Sequence, residues 1–242
     1  MAGVAWHGTP EQWQGVAEHI MAAGHWQPAF RAVSRQWRRV YDERVPADAR
    51  PLSRWLWVDD LERAVDEGAH AWCALRVRES DVCSRDLARL VGLVAYVHAL
   101  DLKLCENVTD ATAFGSVHTL DLWYARVKDV SALGGVHTLS LMCCTGVRDV
   151  SALGSVHTLD LWHCNYVVDV SALGSVHTLN LSQCDGVTDV SALGSVRTLS
   201  LKHCYGVTDV SALGSVHTLD LSYCDDVANV SALANVVDLR LT

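Results

Sequence analysis

Apolar residues recur in residues 97–242 with a period of about 20, and each period places them in the same order. In one period Leu159 and Leu161 occupy alternate positions, and Val167, Val170 and Leu173 then follow at intervals of three. The alternation predicts a short strand with one buried face. The spacing of three predicts a tight turn or 3₁₀ stretch, because the remaining residues leave little room for a full helix.

The first leucine of each predicted strand marks the period. Successive copies are 20 residues apart, except for one interval of 19 between Leu120 and Leu139. The leucines are Leu100, Leu120, Leu139, Leu159, Leu179, Leu199, Leu219 and Leu239. Such a period predicts a solenoid, in which each unit buries its apolar face against its neighbours. The sequence contains no phosphate-binding loop, nucleophile elbow or zinc-protease motif, so we do not expect an enzyme.

Each unit resembles a leucine-rich repeat. Residues 156–164 fit the pattern L-x-x-L-x-L-x-x-[N/C], with Val156 in the first position and Cys164 in the last. Residues 167–173 resemble a shortened convex segment of internalin-type repeats. The resemblance implies an α/β repeat solenoid, an arc with a parallel sheet on the concave face and 3₁₀ turns on the convex side. The helical spacing of the first residues adds a small N-terminal helical domain to this fold. The glycine after each convex leucine, such as Gly174, is expected to supply a backbone conformation that other residues resist.

A column of cysteines runs through the repeats. Its members are Cys105, Cys144, Cys164, Cys184, Cys204 and Cys224. Stacked strands lie about 4.8 Å apart, so a straight column cannot converge on one tetrahedral metal ion. We therefore expect buried, reduced thiols and no bound metal, which favours a reducing compartment.

A second column, of histidines, also runs through the repeats. Its members are His98, His118, His137, His157, His177 and His217, with Arg197 in the sixth position. Imidazoles repeated at strand spacing hinder one another's protonation, which suggests a pH-responsive or metal-binding row. The alternative is a solvated edge residue that was copied with each repeat, and the presence of Arg197 favours that alternative.

Charge and hydropathy limit the partners. The chain has a net charge of −9, and residues 98–242 hold 7 basic against 15 acidic residues. An acidic repeat region disfavours phosphate backbones, so we expect no nucleic acid as a partner. The sequence shows no signal-peptide pattern and no apolar run of membrane-spanning length, so we expect a cytoplasmic or nuclear protein. No cofactor is expected.

The positions that vary between copies suggest where a protein partner binds. Five of them place aromatic, thioether and imidazole side chains in adjacent repeats: Trp123, Tyr124, Met142, Trp162 and His163. Exposed aromatic residues bordered by acids are typical of protein-binding hot spots. We therefore predict that a protein substrate binds the concave face here. The alternative is that aromatic residues stand at these positions because strands favour them.

The last predicted strand ends the sequence at Leu239, Arg240 and Leu241, without a convex return. An open strand edge invites pairing with another chain. We therefore predict a homodimer through these three residues.

Residues 1–45 follow a different, helical pattern. Apolar residues at helical spacing predict two short amphipathic helices, one before and one after Gly24. Pro10-Glu11 and the segment VSRQWRR at residues 33–39 resemble the opening and the end of an F-box. The resemblance implies that this region binds the adaptor of a cullin–RING ubiquitin ligase through Pro10, Ile20, Phe30, Val33 and Trp37.

These patterns predict an F-box-like helical region at 1–45, a linker and N-terminal cap at 46–96, and leucine-rich repeats at 97–242. The F-box resemblance implies a substrate-recognition subunit of a cullin–RING ubiquitin ligase. The alternative is a freestanding leucine-rich-repeat scaffold whose N-terminal helices only cap the solenoid.

Overall fold

The computed structural model describes residues 55–56, 73–76, 90–94 and 97–241. The chain divides into two units, Met1–Trp55 and Leu56–Thr242, and almost all of the described residues belong to the second. The predicted adaptor-binding residues lie outside the described residues: Pro10, Ile20, Phe30, Val33 and Trp37.

The described strands form one sheet, whose strand order follows the order of the chain. They are β1 (Trp55–Leu56), β2 (Cys73–Arg76), β3 (Val97–Asp101), β4 (Thr119–Asp121), β5 (Thr138–Ser140), β6 (Thr158–Asp160), β7 (Thr178–Asn180), β8 (Thr198–Ser200), β9 (Thr218–Asp220) and β10 (Asp238–Arg240). From β2 onwards all neighbouring strands are parallel, and from β3 onwards they keep one register. Each leucine of the period therefore lies beside its counterpart in the next repeat.

A 3₁₀ turn on the opposite side of the solenoid connects successive strands. The turns are Thr112–Phe114, Ser131–Gly135, Ser151–Ser155, Ser171–Ser175, Ser191–Ser195, Ser211–Ser215 and Ser231–Asn235. An acidic or amide side chain precedes each turn; for example, the N–H of Ser171 donates to Oδ1 of Asp169 at 2.9 Å. This bond satisfies a backbone donor that has no partner inside the turn. A short helix at 90–93 precedes β3.

The interior between the sheet and the turns is a stack of equivalent layers. In one layer Leu159, Leu161, Cys164, Val170 and Leu173 each expose 1% or less of their surface. The corresponding residues of neighbouring repeats are buried in the same way, so each layer packs against the next. Full burial of one leucine or valine side chain stabilises the fold by about 1.5–3 kcal/mol. The predicted solenoid of strands and 3₁₀ turns is confirmed.

Gly174 shows why a glycine follows each convex leucine. It lies within the right-handed turn Ser171–Ser175, so the expected unusual backbone conformation is wrong. A Cβ on Gly174 would overlap with the carbonyl oxygen of Ala192 in the next repeat. The glycine is therefore required by the close approach of two backbones, and the same holds for Gly154, Gly194 and Gly214.

One position in each repeat adopts left-handed backbone although it is not glycine. Its φ angle lies between 57° and 62° in Leu104, Tyr124, Cys143, His163, Gln183, His203 and Tyr223. Each of these residues precedes a position of the cysteine column and turns the chain inward after the strand. The N–H of His163, for example, donates to the carbonyl of Ser182 in the next repeat at 2.9 Å.

The cysteine column is buried behind the strands, as predicted. The thiol of Cys164 donates to the carbonyl of Leu141, with 3.1 Å between Sγ and O. Burial raises the pKa of Cys144, Cys184 and Cys204 to about 12, so these side chains are neutral thiols at physiological pH. The column therefore acts as part of the apolar core.

Candidate protein-binding surface

The outward-facing positions of the strands form what we call the sheet face. In one repeat they are Thr158, Asp160 and Trp162, all partly exposed, whereas Leu159 and Leu161 between them are buried. The constant register places equivalent residues of neighbouring repeats side by side. The sheet face is therefore a regular grid, and its chemistry depends on the residues that differ between repeats.

One position of the sheet face carries Trp123, Met142 and Trp162 in three successive repeats. We call these three residues the aromatic row, after its two tryptophans. The N–H of Tyr124 donates to the carbonyl of Met142, and the N–H of Cys143 donates to the carbonyl of Trp162, each at 2.8 Å. These bonds hold the three members of the row side by side. All three are partly exposed, so the structure brings together three of the five predicted partner-binding residues.

The indole nitrogen of Trp123 is buried and has no hydrogen-bond partner in the described part of the chain. Because Nε1 is the only polar atom of the side chain, the exposed part of the Trp123 side chain is apolar carbon. The hydroxyl of Ser140 in the next repeat is also buried and has no partner within the same ranges. A partner that reaches this part of the sheet face therefore meets apolar ring surface.

Carboxylates position the backbone of both tryptophans. Oδ1 of Asp121 accepts the N–H of Trp123 at 3.0 Å, and Oδ1 of Asp160 accepts the N–H of Trp162 at 2.9 Å. Nδ2 of Asn180 also donates to Asp160 at 3.0 Å. Burial raises the pKa of Asp160, and the hydrogen bonds that Asp160 accepts from Trp162 and Asn180 oppose that rise.

Beyond Trp162 the sheet face changes to polar side chains. Ser182 donates to Oδ1 of Asn180 at 2.6 Å, and its Oγ lies 2.8 Å from Oγ of Ser200. Ser182 and Ser222 are each only 7% exposed. Since the hydroxyls of Ser182 and Ser200 hydrogen-bond with each other and Ser222 is buried, this half of the sheet face offers little apolar contact area to a partner.

The other two predicted partner-binding residues, Tyr124 and His163, lie at the left-handed position beside the sheet face. Tyr124 is 52% exposed. The ring centroid of His163 lies 5.7 Å from that of Trp162, so His163 extends the aromatic row sideways. The predicted cluster thus consists of a row on the sheet face and two residues on the adjoining turn.

Further exposed tyrosines on the same turn were not predicted. Tyr166, Tyr205 and Tyr223 are each 50% or 51% exposed. Cζ of Arg148 lies 4.5 Å from the centre of the Tyr166 ring, and the ring of His203 stacks on Tyr223 with 4.4 Å between centroids. All three tyrosines lie within two residues of the cysteine column, at positions that vary between copies. That variation was the signal by which the sequence could have identified them.

At the end of the described chain, β10 pairs with β9. Val237 is 73% exposed and Leu241 is 49% exposed, while Arg240 forms an ion pair with Asp238 at 3.6 Å. The three residues predicted for self-association are Leu239, Arg240 and Leu241. They therefore lie in a part of the described chain where apolar side chains are exposed.

Within residues 90–94 and 97–241, no group of three or more histidine, cysteine, aspartate or glutamate side chains is arranged to hold a metal ion. The helical segments of the described ranges include none that is long and apolar enough to cross a membrane.

The chain is similar to solved structures of two internalins and of a leucine-rich-repeat-containing protein. An internalin (inlF) from Listeria monocytogenes matches with a TM-score of 0.54 and 16% identity, over 81% of this chain and 59% of its own length. Internalin C2 from the same organism matches with a TM-score of 0.48 and 18% identity, over 81% of this chain and 88% of its own. LegL7 from Legionella pneumophila matches with a TM-score of 0.38 and 17% identity, over 75% and 68%.

No protein-family model and no curated protein matches the chain. The likeness to the internalin (inlF) and the regular strand–turn units define the fold as a leucine-rich-repeat solenoid. The chain spans 59% of the length of that internalin.

Proposed function

We propose that this protein is an interaction scaffold whose sheet face binds a segment of a partner protein. The observation that carries the proposal is the aromatic row of Trp123, Met142 and Trp162 in three successive repeats. Aromatic residues and methionine are enriched at protein interfaces. In a solenoid the core residues are constrained by packing between repeats, so the outward residues that differ between copies are available for recognition.

The partner segment is expected to combine apolar side chains with basic groups. The apolar side chains would contact the exposed ring surface of Trp123 and Trp162. Basic groups would be attracted by Asp121 and Asp160 on the sheet face and by the acidic excess of residues 98–242, with 15 acidic against 7 basic side chains. Complementary charge of this kind accelerates association and disfavours acidic competitors.

A random peptide library displayed on phage tests the proposal, with the purified chain as bait. Enriched peptides are synthesised, and their affinities for the wild type, W123S and W162S are measured by calorimetry. We expect apolar–basic peptides whose affinity falls about tenfold or more in either variant, the loss typical of one interface hot spot. S222A, which changes the same position in the serine-rich half without changing the charge, is the control and should bind like the wild type.

Two results would contradict this proposal. One is the absence of any enriched peptide, and the other is a set of peptides whose affinity is the same for the wild type, W123S and W162S. Circular dichroism of each variant ensures that a loss of binding does not arise from unfolding.

We further propose that residues 1–45 form an F-box, so that the protein is a substrate-recognition subunit of a cullin–RING ubiquitin ligase in the cytoplasm or nucleus. Pro10-Glu11 and residues 33–39 support this proposal by their similarity to the F-box pattern. The sheet face would then hold the ligase substrate. The alternative is a freestanding scaffold that binds its partner without any ligase.

Calorimetry with the small adaptor subunit of cullin–RING ligases separates these two functions. Micromolar or tighter binding by the wild type, lost in a folded Pro10→Ala/Ile20→Asp variant, would support the ligase role. If the wild type does not bind the adaptor, the freestanding scaffold is the better description.

We also propose that the chain forms a homodimer through Leu239, Arg240 and Leu241. The exposed apolar side chains of Val237 and Leu241 support this proposal. Light scattering at tens of micromolar protein tests it: the wild type should be dimeric and a Leu241→Asp variant monomeric. A monomeric wild type would contradict the proposal.

A further inference from the structure

Five histidines from consecutive repeats form a stack along the edge where the strands begin. The ring centroids of His98 and His118 are 4.3 Å apart, and those of the three following pairs are 4.5 or 4.6 Å apart. The angles between neighbouring ring planes are only 9–17°. The remaining members of the stack are His137, His157 and His177.

The strand register and a neighbouring threonine orient the rings. The N–H of His157 donates to the carbonyl of His137 at 3.0 Å, which sets the separation of the two residues. Nδ1 of His137 lies 3.3 Å from Oγ1 of Thr138, and Nδ1 of His157 lies 3.2 Å from Oγ1 of Thr158. Each ring is therefore held parallel to its neighbours by its own repeat.

The parallel arrangement does not suit a metal ion. The ring nitrogens of stacked imidazoles point in parallel directions, whereas a tetrahedral ion needs ligands that converge on one point. Within the described ranges no metal-binding group is present, and this includes the histidine column. The chemical property that the stack retains is its capacity to take up protons.

Protonation of one ring hinders protonation of the next. If His137 and His157 were both protonated, their charges would be centred about 4.6 Å apart. The pKa of His137 is lowered, mainly by burial and further by the charges of His118 and His157. Rings in the middle of the stack have such a neighbour on either side.

Few other charged groups adjoin the stack. The 3₁₀ turns that precede the histidines, with the sequences TAF, SALGG and SALGS, contain no titratable side chain. His137 and His177 are followed on their strands by the neutral Ser140 and Asn180. The charged residues on the adjoining strands and in the column itself are Arg76, Asp101, Asp121, Asp160 and Arg197.

We propose that the five-histidine stack makes the solenoid sensitive to acid: neutral rings pack at neutral pH, and their protonation weakens the repeats that carry them. Unfolding exposes His137 and separates it from its neighbours, so its pKa returns to the ordinary histidine value of about 6.5. The unfolded chain then binds protons more readily than the folded stack. The contribution of the stack to the free energy of unfolding therefore has its full value above about pH 6.5 and decreases as the pH falls below that value.

The same column contains an internal control. Arg197 follows His177 and ends the stack, and His217 beyond it has Arg197 and Val237 as its neighbours in the column. Nδ1 of His217 lies 3.3 Å from Oγ1 of Thr218, so its own repeat orients it like the stacked histidines. Replacement of His217 therefore tests the loss of one histidine without an effect on the stack.

The test is urea unfolding of the full chain at pH 7.5 and pH 5.5 for the wild type, H137Q and H217Q. We expect acidification to increase the unfolding constant of the wild type more than that of H137Q, because H137Q lacks a ring whose pKa the folded stack lowers. The melting temperature of the wild type should also fall further on acidification than that of H137Q. H217Q should respond to acid like the wild type.

A gain-of-function variant makes the test independent of the stability of H137Q. R197H fills the gap between His177 and His217, and R197Q removes the same positive charge without adding a ring, so R197H should be more sensitive to acid than R197Q. Equal acid sensitivity of the wild type, H137Q and H217Q would overturn the proposal. If H137Q is unfolded at pH 7.5, the comparison of R197H with R197Q decides, and an equal or weaker response of R197H overturns it.

Discussion

Gly174 and the carbonyl oxygen of Ala192 approach so closely that no Cβ fits between the two backbones. We therefore expect G174A to destabilise the protein by about 1–3 kcal/mol, the usual effect of an extra group in a well-packed interior. Urea unfolding followed by circular dichroism measures the change.

The last repeat supplies a matched control for this prediction. Ala234 occupies the position of Gly174 there, and no following 3₁₀ turn lies against it in the described chain. We expect A234G to lower the free energy of unfolding by no more than about 1 kcal/mol, the backbone-entropy cost of a glycine. A G174A variant as stable as the wild type would show that neighbouring turns separate easily.

Asp169 stabilises the start of its 3₁₀ turn by accepting the N–H of Ser171 at 2.9 Å. Asn229 accepts the N–H of Ser231 at the same distance in the last repeat, so an amide can replace the carboxylate. We therefore expect D169A to lower the melting temperature and D169N to retain most of it. Thermal unfolding at pH 7 checks this order, and equal losses in both variants would contradict it.

The same hydrogen bonds predict an acid response of Asp169. The side-chain and backbone groups of Ser171 lower the pKa of Asp169. The stability that this carboxylate contributes is therefore present above pH about 4 and is lost as the pH falls through the lowered pKa. Between pH 5 and pH 3 the melting temperature of D169N should fall less than that of the wild type.

The buried thiols predict a loss of stability at alkaline pH. Burial raises the pKa of Cys184 to about 12, whereas an unfolded cysteine titrates near 8.5. The folded chain holds the proton more tightly. The stability that this thiol contributes is therefore present in full below about pH 8.5 and is lost as the pH rises towards 12. The free energy of unfolding of C184A should fall less steeply with pH than that of the wild type. The two slopes should differ by up to about 1.4 kcal/mol per pH unit.

V187A is the control for this measurement, because it removes buried methyl groups from the same layer without removing a titratable group. Its free energy of unfolding should be lower than that of the wild type at every pH, with an unchanged slope between pH 9 and pH 11. Identical slopes for the wild type and C184A would contradict the predicted role of the thiol.

Gln183 adopts a φ angle of 59°, in the left-handed region that favours glycine. Replacement by alanine keeps this strain, whereas replacement by glycine relieves it. We expect Q183G to be about 1 kcal/mol more stable than Q183A, because the left-handed conformation costs a residue with a Cβ about that amount. Chemical unfolding of both variants gives the comparison, and a less stable Q183G would show that backbone entropy outweighs the strain.

The repeat pattern predicted the core well, because each buried position has to fit the same position of the next repeat. Leu159, Cys164 and Val170 could be assigned to the interior from their spacing alone, and all three are buried. The role of Gly174 could not be predicted in this way. It depends on the distance to Ala192, which is close only after the repeats have stacked.

The candidate binding surface was predictable in part. Variation between copies identified Trp123, Met142 and Trp162, which the structure places in one row. It did not reveal the left-handed backbone of His163, because such positions are usually recognised by glycine or asparagine. The orientation of the histidine rings was equally inaccessible, since a sequence gives the residues of a column but no angle between their planes.

The equivalence of the core layers has a consequence for the evolution of the protein's length. If residues 180–199 were deleted, Leu179 would pack beside Leu219 through the same contacts that now join Leu179 and Leu199. In-frame loss or gain of a whole unit therefore yields a chain that still folds, with one row fewer or more on its sheet face. Recombination between the nearly identical copies can thus change the reach of the surface in one step, without any compensating substitution in the interior.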